Sequence, residues 1–514
     1  MLTREDVLAG LPDYLHQLLD RHTAEHTDAP ALHEQGETLS YGELREAVSQ
    51  LGAAFECDGV RAGDRVMLVA ENCSLLVASL LALSRLRAWS VVVNARLSAG
   101  ELENIREHCG ARRVLYTSAV SRDAAAHAAQ AGAEQRTIKA LGNYHLGPLN
   151  AACTAEPVHS DPAGQVAVMI YTTGTTGSPK GVMLTHRNLL YIAHSASLLR
   201  QLSADDRVYA VLPISHVYGL SAVCLASLFA GAALQLEARF DPQQLARALR
   251  EDGITLMQGV PAMYARLLEL ADSGQLQLQA PDLRFMYAGG SPLDLPLKQA
   301  VEQRFGLPLH NGYGLTESSP TVSQTRIDEP RQDTSVGRPI PGLEVRLLDT
   351  ARNATVADGE VGELWVRGPN VMKGYYRATE QTADVLDADG WLNTGDMARL
   401  DADGALFIVG RSKELIIRSG FNVYPPEVEG ALMAFPGVVL SAVVGRPVEG
   451  NEEVVAFVQV AMPEAFDVAA LKVFLAERLS PYKRPSHICV LDSLPASASG
   501  KVLKHQLKTL ATSL

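Results

Sequence analysis

Cysteine is scarce in this chain. Its six residues, Cys57, Cys73, Cys109, Cys153, Cys224 and Cys489 among 514, have none of the close spacings that build a zinc or redox motif, so they read as reduced thiols. Positive charge is in deficit as well. A formal net charge of −13 excludes nucleic acid or an anionic membrane as the main partner, since both need a basic face. No apolar run is long enough to cross a bilayer: the longest, "LLVASLLALSRL", is interrupted well short of the roughly 20 residues required. The opening stretch "MLTREDVLAGLPDYLHQLLDRH" is acidic where a secretory signal is basic, and reads as an ordinary first helix of a cytoplasmic protein. The Walker phosphate loop is missing too, because the lysine of "TTGTTGSPKG" follows Pro179 and precedes Gly181.

What is present is an ordinary globular composition, 47% hydrophobic and 20% charged, at a length that calls for at least two domains. From "YGELREAVSQLGAAF" through "DRVMLVAENCSLL" to "WSVVVNARL", helical periodicity alternates with strand-like runs. The pattern resumes from "RVYAVLP" to "LPLHNGYG", predicting an α/β fold with two βα lobes. Residues 118–132 read as a helix, and the stretch from there to residue 164 as a loose crossing. Between residues 335 and 409, short pieces such as "LEVRLLD", "GELWVRG" and "ALFIVG" predict a small antiparallel barrel or sheet. "GRSKELIIRSGFNVYPPEVE" reads as a charged crossing that opens a helix. After it, two strands, a helix and a third strand form a small α+β module. The expected division is residues 1–411 and residues 412–514.

Chemistry concentrates in a few short stretches. "VAVMIY", "TTGTTGSPKG" and "GVMLT" predict strand, tight loop, strand, and the loop combines glycines, hydroxyls and Lys180 in a way that suits phosphates. Alone, such a loop is as readily a surface hairpin. The chain also carries "LPISHVYGL", "YAGGSPL", "NGYGLTE", "WLNTGD", "GRSKELI" and "LPASASGK". In this order and at these separations, the set resembles the motif series of the adenylate-forming superfamily of acyl- and aryl-CoA ligases, peptide-synthetase adenylation domains and luciferases. It is most like the coumarate–CoA and fatty-acid–CoA ligases.

The resemblance implies a large N-terminal domain of two βα lobes plus a small β-barrel, followed by a small mobile C-terminal domain turning about Lys413. It implies that Thr172, Thr173, Gly174, Thr175, Thr176 and Lys180 hold the ATP phosphates, Thr316 bonds the α-phosphate, and Glu317 holds Mg²⁺. Gly289, Asn311, Gly312 and Tyr313 would border the adenine, while Asp396 and Arg411 would take the ribose. His216, Val217, Tyr218, Gly289, Gly290, Gly314, Ser318 and Pro320 would line the acyl pocket, His216 beside the reacting carboxylate. Lys501 would bridge that carboxylate and the α-phosphate. Ser419, Gly420 and Phe421 would face CoA. One departure is Ala496, where many members carry a basic residue.

The implied reaction is ATP-dependent acid–CoA ligation through an acyl-adenylate, with ATP, Mg²⁺ and coenzyme A taking part in a monomer or homodimer. The lining motifs offer no evident cation for a second carboxylate, and no aspartate to pair with an α-ammonium. The expected acid is therefore apolar and monocarboxylic, aromatic or fatty. Two other readings stand beside this one: loading of a carrier-protein phosphopantetheine in place of CoA, and a non-catalytic nucleotide-binding homologue.

Overall fold

A computed structural model describes residues 2–23, 26–173, 179–349, 354–419, 421–448, 451–496 and 502–513. The chain divides into two compact units, Met1–Val345 with Val366–Leu392, and Arg346–Trp365 with Asn393–Leu514. The first unit holds two large sheets. One has nine strands, with Leu309–Gly314, Phe285–Ala288, Leu256–Gly259, Arg207–Ala210 and Ala233–Leu236 adjacent in that order at its centre. The other has eight, with Gly374–Tyr375, Pro179–Thr185, Val166–Thr173, Trp89–Asn94 and Arg65–Ala70 in succession from one edge. Central strands pair in parallel, and their sequences show why: Arg65–Ala70 is buried at every position, as expected where helices cover both faces.

Cap residues set the helix starts. Ser40 caps Tyr41–Cys57 and Ser98 caps Ala99–Cys109, each with a glutamate three residues on that returns a bond to the cap's own N–H. The apolar run becomes the buried helix Ser74–Arg85, and among the described residues no helix is long and apolar enough to cross a membrane.

Three local expectations need correction. The N-terminal stretch is not one helix but Arg4–Leu8, a 3₁₀ turn Leu15–Gln17 and Leu18–Thr23, because Gly10 and Pro12 interrupt it. The loose crossing after Arg122–Gln130 contains an antiparallel edge hairpin, Glu134–Ile138 with Gly142–Leu146. The charged crossing likewise folds back on itself as Ile416–Arg418 with Phe421–Val423.

The expected barrel region is a four-stranded sheet, in the order Glu344–Leu348, Gly362–Arg367, Leu392–Leu400, Leu406–Arg411. From Asn393 onward its strands belong to the same compact unit as the C-terminal module. In that module, Val438–Val448, Asn451–Val460 and His487–Leu491 make a three-stranded sheet. Strand alternation gives it two cores: Val443, Val454, Ala456 and Val458 face Leu432 and Leu471, whereas Ala442, Val444, Val455 and Phe457 face Leu494 and Leu507.

Candidate active site

The strands Val166–Thr173 and Pro179–Thr185 run antiparallel, with Thr172 opposite Lys180 and Thr173 opposite Pro179, as the sequence predicts. Gly174, Thr175 and Thr176 lie outside the described residues, as does the side chain of Thr173. The sheet therefore fixes the two strands that lead into and out of the phosphate loop.

The second strand runs on into the helix His186–Leu199, capped reciprocally by Thr185 and Asn188. Asn188 has a further task. Its Nδ2 donates to the carbonyls of Pro369 (2.7 Å) and Val371 (2.9 Å), pinning a segment nearly two hundred residues later. That segment continues as Gly374–Tyr375, which pairs with Met183 and Val182 and joins the sheet beside Lys180. The Tyr375 hydroxyl donates to Glu317 Oε1 at 2.7 Å, and Lys180 Nζ stands 5.0 Å from the centroid of the same ring. One tyrosine thus lies between the two charges expected to meet the phosphates and the metal. Burial and the Glu317 charge push its phenol well above the usual range, which keeps it a donor.

Glu317 sits in a 3₁₀ turn, Thr316–Ser318, directly after the strand Leu309–Gly314. The buried Asn370 grips this turn: its Nδ2 donates to the carbonyls of Ser318 and Thr321 (2.9 Å each), and its backbone carbonyl accepts from Ser319 Oγ at 2.8 Å. Met372 N–H bonds the Glu317 carbonyl at 2.8 Å. Asn311 is occupied otherwise than as an open donor. Its Nδ2 holds the carbonyls of Thr334 (3.2 Å) and Ser335 (3.1 Å), and its Oδ1 accepts from Gly312 N–H (3.0 Å).

On the acyl side, His216 is exposed, Val217 and Tyr218 are buried, and the chain enters an eight-residue π-helical stretch, Tyr218–Leu225. Asn72, from the other sheet's first βα connection, sets the approach. Its Nδ2 donates to the carbonyls of Ala210 and Leu212 (3.0 Å each), and its Oδ1 accepts from Ile214 N–H at 2.8 Å. A Cβ at Gly219 would lie 2.3 Å from the Pro213 carbonyl oxygen, so only glycine lets this turn fold back. Tyr218 packs edge-on against Tyr287 at 6.0 Å between centroids. The exposed Gly290 has φ +81°, while Ser318 and Pro320 are buried behind the Glu317 turn. Tyr313 is half-buried and Gly314 exposed at the end of their strand.

In the second unit, Asp396 and Arg411 face each other across neighbouring strands, with Nε 3.3 Å from Oδ1. Asp396 is nearly buried and Arg411 mostly exposed, so the pair presents a carboxylate edge with a donor beside it. Lys413 is exposed in the turn Ser412–Glu414. The next residue, Glu414, is tied to Lys504 (2.8 Å), which also meets Glu429 (2.8 Å). Burial works against the Lys504 charge, but the two carboxylates outweigh it and raise its pKa. Ser419 takes φ +52°, and the exposed Phe421 stacks on Tyr482 at 4.6 Å. Gly420 and Lys501 lie outside the described residues. A bridge between Ala496 and Val502 closes the two chain segments that lead to Lys501.

Sequence reasoning did not single out Asn72, Asn370 or Tyr375. Asn188 stood inside a quoted motif, but its reach to residues 369 and 371 had no sequence signal. These residues grip backbone or a neighbouring side chain, and only the fold reveals such partners.

The described geometry pairs a phosphate-loop hairpin with a glutamate turn, and separately an aspartate with an arginine. The AMP-binding enzyme family matches residues 19–376, and the AMP-binding enzyme C-terminal domain matches residues 427–501. The chain belongs to the AMP-binding enzyme family. It is 35% identical to a feruloyl-CoA synthase of an Amycolatopsis species over 93% of this chain and 95% of the relative. With the 2-succinylbenzoate–CoA ligase of Geobacillus kaustophilus it shares 34% identity, covering 92% and 93%. Among solved structures, the O-succinylbenzoate–CoA synthetase of Bacillus subtilis in complex with ATP and magnesium superposes with a TM-score of 0.81 at 28% identity, over 96% of this chain and 99% of that one.

The protein is an AMP-forming acid–thiol ligase. It makes an acyl-adenylate and pyrophosphate from a carboxylic acid and ATP, then an acyl-CoA and AMP.

Proposed function

We propose that the acid is aromatic or fatty, with one reacting carboxyl and a largely apolar body. The observation that carries this reading is the aromatic pair Tyr218 and Tyr287, which meet edge to face with both rings against Gly289. Both relatives described above are named for aromatic acids, which favours the ring.

A carboxylate must be activated because its charge repels nucleophiles and oxide is a poor leaving group. In this reading Thr172, Thr173, Gly174, Thr175, Thr176 and Lys180 hold the β- and γ-phosphates, and Thr316 the α-phosphate. No group of three or more metal-ligating side chains exists among the described residues, which suits Mg²⁺, an ion usually held by one or two carboxylates with phosphate oxygens. Glu317 fits that part: one oxygen takes the Tyr375 hydrogen bond, and the metal would neutralise phosphate charge. Asp396 and Arg411 take the ribose, and Gly289, Gly312 and Tyr313 border the base. His216 and Lys501 meet the reacting carboxylate, with the residue 412–514 module turning about Lys413 so that Ser419, Gly420 and Phe421 serve the thiol step. The enzyme works in the cytoplasm.

Release of AMP from ATP and CoA with a panel of acids tests this, with a holo-carrier protein as the competing acceptor. The expected result is highest kcat/KM on aromatic or aliphatic monoacids with CoA. Malonate or an amino acid as best substrate would overturn the pocket reading, and preference for the carrier would overturn the acceptor.

A further inference from the structure

Arg200 ends the helix that begins at His186, and it is completely buried. It makes no ion pair with a carboxylate among the described residues. Its Nη1 donates to Gln258 Oε1 at 2.6 Å and to the Ala222 carbonyl, and its Nη2 reaches Gln324 Oε1 at 3.3 Å. The guanidinium lies 4.6 Å from the Tyr287 ring centroid. A buried cation without a counter-charge is costly, and cation–π attraction offsets only part of that cost.

The cost is compounded around it. Arg200 Nε, Gln258 Nε2, Gln324 Nε2 and the Tyr218 hydroxyl are all buried without a hydrogen-bond partner. Every one of them can donate. Both glutamines turn their oxygens to the arginine and leave their NH₂ groups unanswered. A fold that orphans several donors around one positive charge is short of an acceptor, not of packing.

The location is the C-terminal end of the parallel strands, where open α/β sheets bind ligands. Gln258 and Tyr287 lie on adjacent parallel strands in register with each other, and Gln324 lies opposite Gly312. The Tyr287 hydroxyl occupies the space that a Cβ of residue 312 would fill, at 1.7 Å, and Tyr218 and Tyr287 both border Gly289. The cluster therefore underlies the residues assigned to the acyl wall.

We infer that the Arg200–Gln258–Gln324 cluster is the polar floor of the acyl pocket, and that it selects acids carrying an acceptor oxygen at the end opposite the reacting carboxyl. This rests on the acid–CoA ligase reading and deepens it: the body of the acid is apolar and its far end is not. The acceptor's source, a neutral phenol or ketone oxygen or a second carboxylate, shares one chemistry. A site built to hydrogen-bond a substrate oxygen discriminates strongly against the analogue that lacks it.

The test uses the full-length enzyme and three acids of one shape: cinnamate, 4-hydroxycinnamate and 4-carboxycinnamate. AMP release gives kcat/KM for each with wild type, Arg200→Met and Gln258→Leu, and thermal unfolding checks that the variants fold. Wild type should favour at least one oxygenated acid over cinnamate by tenfold or more: 4-hydroxycinnamate in the lead supports both this floor and the monocarboxylic acid proposed above, whereas 4-carboxycinnamate in the lead supports the floor and overturns the monocarboxylic reading. Arg200→Met should cut that ratio at least tenfold, losing far more on the oxygenated acid than on cinnamate, and Gln258→Leu should cut it less. A merely structural role would instead lower all three substrates together. Equal kcat/KM for the three acids with wild type, or an unchanged ratio in a folded variant, would overturn the inference while leaving the ligase intact. If Arg200→Met does not fold, the wild-type ratios and Gln258→Leu decide by the same criteria. Absence of AMP from these three acids alone would overturn this inference, and absence from the whole panel of acids described above would overturn the proposed acid class with it.

Discussion

Single side chains decide most of the chemistry expected here. If Lys501 bridges the substrate carboxylate and the α-phosphate, it separates two anions whose repulsion at about 4 Å and an effective dielectric near 20 is roughly 4 kcal/mol. Lys501→Ala should then slow adenylate formation on the order of a thousandfold, read by single-turnover pyrophosphate release, and barely change thioester formation from synthetic acyl-adenylate and CoA. Equal collapse of both rates would remove Lys501 from that role. Two buried histidines make a separate prediction about stability. Burial holds His186 down to about 3, with His16 adding to the effect. Burial, with Lys298 and Arg200 adding to it, holds His310 down to about 4. An unfolded chain takes up these protons near 6.5, so the folded state has its full advantage above that value and loses it as pH falls. Between pH 7.5 and 5 each histidine costs about 2 kcal/mol. His186→Gln should shrink the acid-induced drop in urea stability by about that amount, whatever it does to stability at neutral pH.

At the scale of elements, the turn Ser412–Glu414 is the place to interfere. Proline at position 413 fixes φ near −65° and removes an N–H, so Lys413→Pro should hold one arrangement of the following module. Adenylate formation should survive and transfer of preformed acyl-adenylate to CoA should fail; equal losses would mean a misplaced hinge. Much of this level was legible beforehand. The βα alternation and the strand–loop–strand around Lys180 could be read because apolar runs and glycine punctuation are local signals. The hairpins at Glu134–Ile138 and Ile416–Arg418 could not, since polar edge strands such as "EQRTI" lack an apolar face to betray them. Arg200 was equally hidden. From sequence it is a basic residue ending a helix, and its burial depends on Gln258, Tyr287 and Gln324, which arrive 58 to 124 residues later.

For the whole molecule, the motif order from the Lys180 loop to Lys501 identified the family because each motif marks a different part of the fold. The compact division was not legible in that order, since the second unit borrows residues 346–365 from the middle of the first. The C-terminal module nevertheless has a buried core on each face of its own sheet. Residues 412–514 expressed alone should therefore unfold cooperatively, with a single sigmoidal circular-dichroism transition; a gradual, featureless melt would show that the module needs the preceding sheet.

That borrowed segment also bears on synthesis at the ribosome. The strands Glu344–Leu348 and Gly362–Arg367 emerge well before Leu392–Leu400 and Leu406–Arg411, their later neighbours in one sheet. At about 5–20 residues per second, the nascent chain carries an incomplete sheet with an unpaired edge for seconds. During that interval the edge can recruit a strand from a neighbouring chain on the same message. Slower translation beyond residue 367 would prolong the exposure, so yield of soluble protein should be more sensitive to codon choice there than in the C-terminal module.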